Sequence, residues 1–147
     1  MKKIKVLLVE DRDIIRDILK LSLSGIDDIE ITAEAADGQE AIDLVQKNDY
    51  DVILMDINLP KVTGIEATRR ILKLKPDIKI LGTSFDINIF TIRELLEAGA
   101  AGFILKGENK YVYTDAIKTV CSGKGYLSEE VGHKTYESIN KYLNNIF

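Results

Sequence analysis

The run Asp51-Val52-Ile53-Leu54-Met55-Asp56-Ile57-Asn58-Leu59-Pro60 constrains this chain more than any other stretch. Four consecutive apolar residues, Val52 to Met55, describe a strand buried on both faces, because a half-exposed strand would alternate with polar residues. Asp56 ends the run. An unpaired carboxylate is costly to bury, so Asp56 belongs at the C-terminal edge of the strand, where the chain surfaces. In open parallel sheets that edge is where ligands bind. Pro60 and Gly64 break the chain and predict a short loop across the top.

The flanking sequence supplies the rest of such a sheet. Ile4 to Val9 reads as a strand ended by Glu10-Asp11, and Ile14, Ile15, Ile18, Leu19 and Leu21 follow at helical spacing until Gly25. Ile29 to Thr32 is a short strand. Asp37 and Thr63, each with a Glu three residues on, open the next two helices as capping boxes. Ile78 to Leu81 and Gly102 to Leu105 are strands. The helices behind them carry Ile89, Ile92, Leu95 and Leu96, and then Val112, Ala116, Ile117 and Val120, with stops at Gly99 and Gly123. Five strand–helix alternations with short connections predict an α/β fold with a parallel sheet, and right-handed crossovers place helices on both faces.

At 147 residues this is one domain, or one domain with an appendage. A net charge of −4 argues against nucleic-acid binding by this segment alone. A single cysteine, Cys121, excludes an intrachain disulfide and suits the cytosol; we expect it at the edge of the core. No apolar run is long enough to span a membrane, and the N-terminus enters a strand pattern at once, with no signal-peptide pattern. The expected location is cytoplasmic.

The residues that end the strands share one edge of a parallel sheet: Glu10 and Asp11, Asp56, Ser84, and Lys106. Each alone is a common cap or solvated loop residue; their joint placement carries the functional reading. Three carboxylates crowded together repel unless a cation intervenes. An oxygen-only ligand set with room for water suits Mg²⁺. Lys106 would hold a second anionic group, and Ser84 would donate a hydrogen bond to it. Formation of an aspartyl phosphate fits those parts.

These residues resemble the receiver domains of two-component response regulators, the CheY-like fold. The likeness runs from about Ile4 to Leu127 through Val9-Glu10-Asp11, Ala36-Asp37-Gly38-Gln39-Glu40-Ala41, Met55 to Pro60 with Gly64, and Ala98 to Lys106. The resemblance implies strand order 2-1-3-4-5 in a five-stranded sheet. It implies that Asp56 accepts a phosphoryl group from a sensor histidine kinase. It further implies that Asp11, Asp56 and the backbone carbonyl of Asn58 bind Mg²⁺, with Glu10 assisting through water. Lys106 would contact the acyl phosphate, Ser84 would move toward it, and Phe103 would swing inward. Such a domain is not an enzyme beyond catalysing its own phosphorylation and dephosphorylation. Gly125-Tyr126-Leu127-Ser128 is similar to the NarL/FixJ (LuxR)-type transcription regulators, which carry a DNA-binding helix-turn-helix after the receiver.

Two positions depart from the pattern: Phe85 after Ser84, where a small residue is usual, and Gly107 after Lys106, where many receivers have proline. The alternatives are a stand-alone receiver in a phosphorelay and a Mg²⁺-dependent phosphohydrolase of the haloacid-dehalogenase kind. The latter expects an aspartate two residues after the nucleophile, where this chain has Asn58. A flavin-binding reading fails on the acidic first loop, and phosphate-loop and dinucleotide glycine motifs are absent.

We expect residues 1–126 to form the receiver and 127–147 a linker helix. Ser128 is placed to cap that helix, and Glu129-Glu130 suit its positive end. Tyr136, Ile139, Leu143 and Ile146 recur as a short heptad seam. The seam predicts a homodimer; otherwise the helix folds back on its own receiver, supported by the first and fifth helices. His133 lies outside the site, so any phosphohistidine comes from a partner.

Overall fold

The computed structural model describes residues 2–146. In chain order it contains β1 (Ile4–Val9), α1 (Asp13–Leu23), β2 (Ile29–Ala35), α2 (Gly38–Lys47), β3 (Val52–Asp56), α3 (Gly64–Leu74), β4 (Lys79–Ser84), α4 (Ile89–Glu97), β5 (Gly102–Leu105), α5 (Lys110–Cys121), β6 (Tyr126–Leu127) and α6 (Glu129–Ile146). The sheet is parallel throughout, in the order β2-β1-β3-β4-β5-β6. The expected five strands keep their order, but the sheet has six. Tyr126 and Leu127 pair with Gly102 and Phe103, so Leu127, expected in the linker helix, is strand.

The apolar runs of the strands are continuous because both faces are covered. Alternate residues enter opposite cores. Leu7, Val9, Ile53, Met55 and Ile80 pack with Ala41 and Val45 of α2 and Ala67 and Ile71 of α3. Val6, Leu8, Val52, Leu54 and Ile104 pack with Leu19 and Leu23 of α1 and Ala116, Ile117 and Val120 of α5. A third cluster gathers Ile57, Ile65, Ile92, Leu95 and Phe103 with Val131 of α6.

The helix boundaries follow the sequence signals. Asp37 and Thr63 accept hydrogen bonds from the backbone N–H of Glu40 (2.8 Å) and Glu66 (3.2 Å). Gly99 and Gly123 leave α4 and α5 at φ +106° and +93°, the left-handed conformation that ends a helix. Asn88 and Asn109 cap α4 and α5.

The tail departs from expectation. Ser128 does not cap α6. Its hydroxyl accepts from the Leu105 N–H of β5 at 2.8 Å, and its N–H donates to the Phe103 carbonyl at 3.0 Å. The start of α6 packs through Val131 against α4 and β5. The side chains of Tyr136, Ile139, Leu143 and Ile146, the predicted seam, lie outside the described residues. Cys121 is exposed at the end of α5, not at the core edge. Among the described residues, no helix is long and apolar enough to cross a membrane.

Candidate functional site

The C-terminal edge of the sheet collects the acidic residues. β3 runs one residue further than its apolar stretch, which carries Asp56 into a position only 2% exposed. Two local features hold it there. Its ladder partner is Thr83 of β4. The loop returning to α3 passes so close that a Cβ on Gly64 would meet the Asp56 carbonyl oxygen at 2.2 Å. Only glycine fits that approach.

Glu10, the first residue beyond β1, is likewise buried, while Asp11 sits exposed at the rim. One carboxylate oxygen from each of Glu10, Asp11 and Asp56 lies within 4.8 Å of the others. Lys106, the residue after β5, reaches in from the opposite side. Its Nζ stands 3.0 Å from Asp56 Oδ2 and also forms a short ion pair with Glu10 Oε1. The three side chains are 3% exposed or less, so this is a buried ion triad with two anions and one cation.

Burial pushes the Glu10 carboxyl above the ordinary carboxylate range. Hydrogen bonds from Lys106 and from the Arg12 N–H pull it down, and the charge of Asp56 raises it further. Tyr113 of α5 is pushed up to about 12, by burial first and by Glu108 and Glu10 after it, so its hydroxyl stays neutral.

Asn58 fastens the site in two places. Its N–H donates to Asp56 Oδ1 at 2.9 Å, and its side-chain amide donates to Ser84 Oγ at 3.0 Å. Ser84 also accepts from the Asp86 N–H at 3.2 Å. The sequence-predicted residues therefore converge to different degrees. Glu10, Asp56 and Lys106 touch; Asp11 completes the carboxylate cluster; Ser84 is joined to Asp56 only through Asn58.

Phe103 differs from expectation. It is already fully buried beneath Ile92, Leu95 and Val131, so no inward swing is left to make. The peptide bond to Gly107 is trans, and Gly107 has φ +97°.

Arg16 of α1 is a further residue that supports the site. Its guanidinium donates to the Glu10 carbonyl at 2.6 Å and to Glu34 at 3.2 Å, tying the first loop to α1 and β2. The available signal is Asp13 one helical turn before it, with which Arg16 pairs.

The C-terminal edge of a parallel doubly wound sheet thus carries three carboxylates and a lysine. The family profile for the response regulator receiver domain matches residues 6–118. DegU of Brevibacillus brevis, a transcriptional regulatory protein, is 34% identical over 97% of this chain and 60% of its own length. The response regulator GacA of Pseudomonas syringae pv. syringae (strain B728a) is 35% identical over 97% of this chain and 67% of its own. A crystal structure of a LuxR-family two-component response regulator from Aurantimonas sp. SI85-9A1 superposes with a TM-score of 0.87 at 28% identity. It covers 93% of this chain and 98% of that one. The chain belongs to the response regulator receiver family and is a receiver domain of two-component signalling. It spans 60% and 67% of the length of the two curated relatives.

Proposed function

We propose that this chain is a phosphorylation-driven switch in which Asp56 takes a phosphoryl group from a phosphohistidine of a sensor histidine kinase. The observation that carries the reading is the meeting of Asp56, Glu10 and Lys106 in one buried cluster with Asp11 at its rim. An Asp56 oxygen forms a bond to phosphorus, the P–N bond breaks, and the bonding pair returns to the imidazole. Lys106 then exchanges a carboxylate for a phosphoryl oxygen, and the Ser84 hydroxyl donates to another.

The donor set fits Mg²⁺. It is oxygen only, it carries more negative charge than Lys106 neutralises, and Asp11 faces solvent. Asp11, Asp56 and the Asn58 carbonyl would hold the ion, with Glu10 assisting through water. Bound there, Mg²⁺ offsets the charge of the carboxylates and the incoming phosphoryl oxygens. The chain catalyses only its own phosphorylation and dephosphorylation. The phosphohydrolase reading is disfavoured because Asn58 has no acidic proton to give a leaving group and spends its amide on Ser84.

Intact mass spectrometry tests the assignment. With Mg²⁺ and acetyl phosphate, the protein is expected to gain one phosphoryl group. Asp56→Asn should remove the adduct, and Asp11→Ala or EDTA should abolish its formation. An unchanged adduct in Asp56→Asn would sink the acceptor assignment, and phosphotransfer that survives EDTA would sink the metal site.

We assign the receiver to residues 1–126 and a linker helix to 127–147, with β6 as the joint between them. The relatives' greater length supports an output domain beyond this chain that controls transcription and binds DNA, in a cytoplasmic protein. The linker would then pair two copies. The expected result is a homodimer favoured by phosphorylation whose association weakens when residues 128–147 are deleted. Light scattering on both forms, with and without a phosphoryl mimic, checks it. Equal association in the two forms excludes the tail as the dimer element.

A further inference from the structure

Asp11 is the exposed member of the carboxylate cluster, and among the described residues no hydrogen bond or ion pair holds its side chain. Its place is therefore set by the backbone that leads to it. That backbone is fastened on both sides of Glu10. The Glu10 N–H donates to the Ala35 carbonyl of β2 at 3.0 Å. The Glu10 carbonyl, which lies in the peptide plane joining Glu10 to Asp11, accepts from Arg16 Nη1 at 2.6 Å. Arg16 divides the three nitrogens of its guanidinium among three parts of the fold. Nη1 takes the Glu10 carbonyl, Nε takes Glu34 of β2 at 3.2 Å, and Nη2 takes Asp13 in the first turn of α1. The fork is planar and rigid, so a direction fixed at Glu34 and Asp13 is passed on to the Glu10 carbonyl. The Arg16 side chain is only 16% exposed, which limits the competition of water for these bonds. Two carboxylates also offset its charge, which reduces its repulsion of a divalent ion one peptide away.

We propose that Arg16 is a positioning residue for the metal site: anchored on Glu34 and Asp13, it grips the Glu10 carbonyl, fixes the Glu10–Asp11 peptide plane and so holds the Asp11 carboxylate in place beside Asp56. The inference rests on the reading of Asp11 and Asp56 as Mg²⁺ ligands. Charge and position predict opposite results. An Arg16 that acted through its charge alone would repel a divalent ion. Its removal would leave Asp13 and Glu34 unbalanced and tighten Mg²⁺ binding. An Arg16 that holds the peptide does the reverse, because its removal frees Asp11 and weakens binding. Groups that orient a metal ligand contribute about 10–100-fold in affinity, and Arg16, which acts through backbone, belongs at about tenfold. Lys20 supplies the control. It stands one helical turn further along α1 and pairs with the same Glu34 at 2.8 Å, and among the described residues it makes no bond to the first loop.

The test is a Mg²⁺ titration of the whole chain, free of phosphoryl donor, followed by amide ¹H–¹⁵N shifts. Arg16→Met, which keeps the apolar stem, is expected to bind Mg²⁺ about tenfold more weakly than the wild type. Arg16→Lys, which keeps the charge and loses the fork, should remain several-fold weaker. Lys20→Met should stay within about twofold of the wild type, since an exposed cation is screened. Before metal is added, the amide shifts caused by Arg16→Met should be confined to residues 10–16 and 33–36. Equal or tighter binding in Arg16→Met overturns the positioning role, as does wild-type affinity in Arg16→Lys. An equal loss in Lys20→Met also overturns it, and so do metal-free shifts that spread through β3 and α5, which would mark a loosened fold. A wild type that binds no Mg²⁺ overturns the metal reading itself, a result distinct from all of these.

Discussion

Replacing Lys106 with alanine is expected to destabilise the metal-free protein by about 3 kcal/mol, and Mg²⁺ is expected to restore most of that loss. The reasoning starts from burial. Lys106 is the cation paired with both Glu10 and Asp56, and all three side chains are withdrawn from water. Removing it leaves two carboxylates in a low-dielectric pocket, where their mutual repulsion is poorly screened. Part of the cost is escaped by protonation of Glu10, whose carboxyl already sits above its ordinary range through burial. A divalent ion takes over the missing charge, so the wild-type and variant unfolding midpoints should converge as Mg²⁺ is added. The same substitution removes the group that would sense the phosphoryl oxygens. Phosphorylated Lys106→Ala should therefore show much smaller amide shifts beyond the site than the phosphorylated wild type. Equal urea midpoints in EDTA contradict the triad, and wild-type-sized NMR shifts contradict the sensing role.

The fold was legible because its signals are local. Val6 to Val9 and Val52 to Met55 are apolar without interruption, and only a sheet covered on both faces calls for that. The site was legible because strand ends in a parallel sheet share an edge, so residues as far apart in sequence as Glu10 and Lys106 converge by topology alone. What sequence did not disclose depends on exchanges between neighbours. A two-residue strand has no periodicity to read, so β6 leaves no trace in the sequence pattern. Ser128 carries the pattern of a helix cap, but the unpaired Leu105 N–H at the end of β5 competes for its hydroxyl and takes it. The resemblance implies a contact of Lys106 with the acyl phosphate but does not disclose its pairing with Glu10 and Asp56, which a buried ammonium needs when no phosphoryl group is there. The inward swing that the resemblance implies for Phe103 has no room to occur here, because α6 lays Val131 over the ring and seals it in.

Gly102→Ala is expected to release β6 and the start of α6 from the receiver while leaving the phosphoacceptor site assembled. A Cβ at this position would meet the Tyr126 carbonyl oxygen at 1.9 Å, with the carbonyl carbon and N of Tyr126 also within 3.0 Å. These are backbone atoms of a paired strand, so no rotamer change relieves the clash. β5 is held on its other side by β4, through four residue pairs, and β6 is held by two. The weaker partner therefore yields. Its departure breaks the bonds from Tyr126 N–H to the Ala101 carbonyl and from Ser128 N–H to the Phe103 carbonyl. It also leaves the Leu105 N–H without the Ser128 hydroxyl and opens the contact of Val131 with Phe103. Forced overpacking costs typically about 1–3 kcal/mol, more than the net worth of a part-buried hydrogen bond that water replaces when the strand leaves. Asp56, Glu10 and Asp11 sit on β3 and after β1, on the far side of β4 from the altered pair. Hydrogen exchange should thus show lost protection at Leu105 and across residues 126–131, with β1 and β3 unchanged. Phosphoryl uptake at Asp56 should persist. Ser128→Ala, which removes one hydrogen bond without a clash, should produce a weaker version of the same pattern. If the amides of β6 in Gly102→Ala exchange as slowly as in the wild type, the sixth strand is not the joint through which the receiver holds its tail.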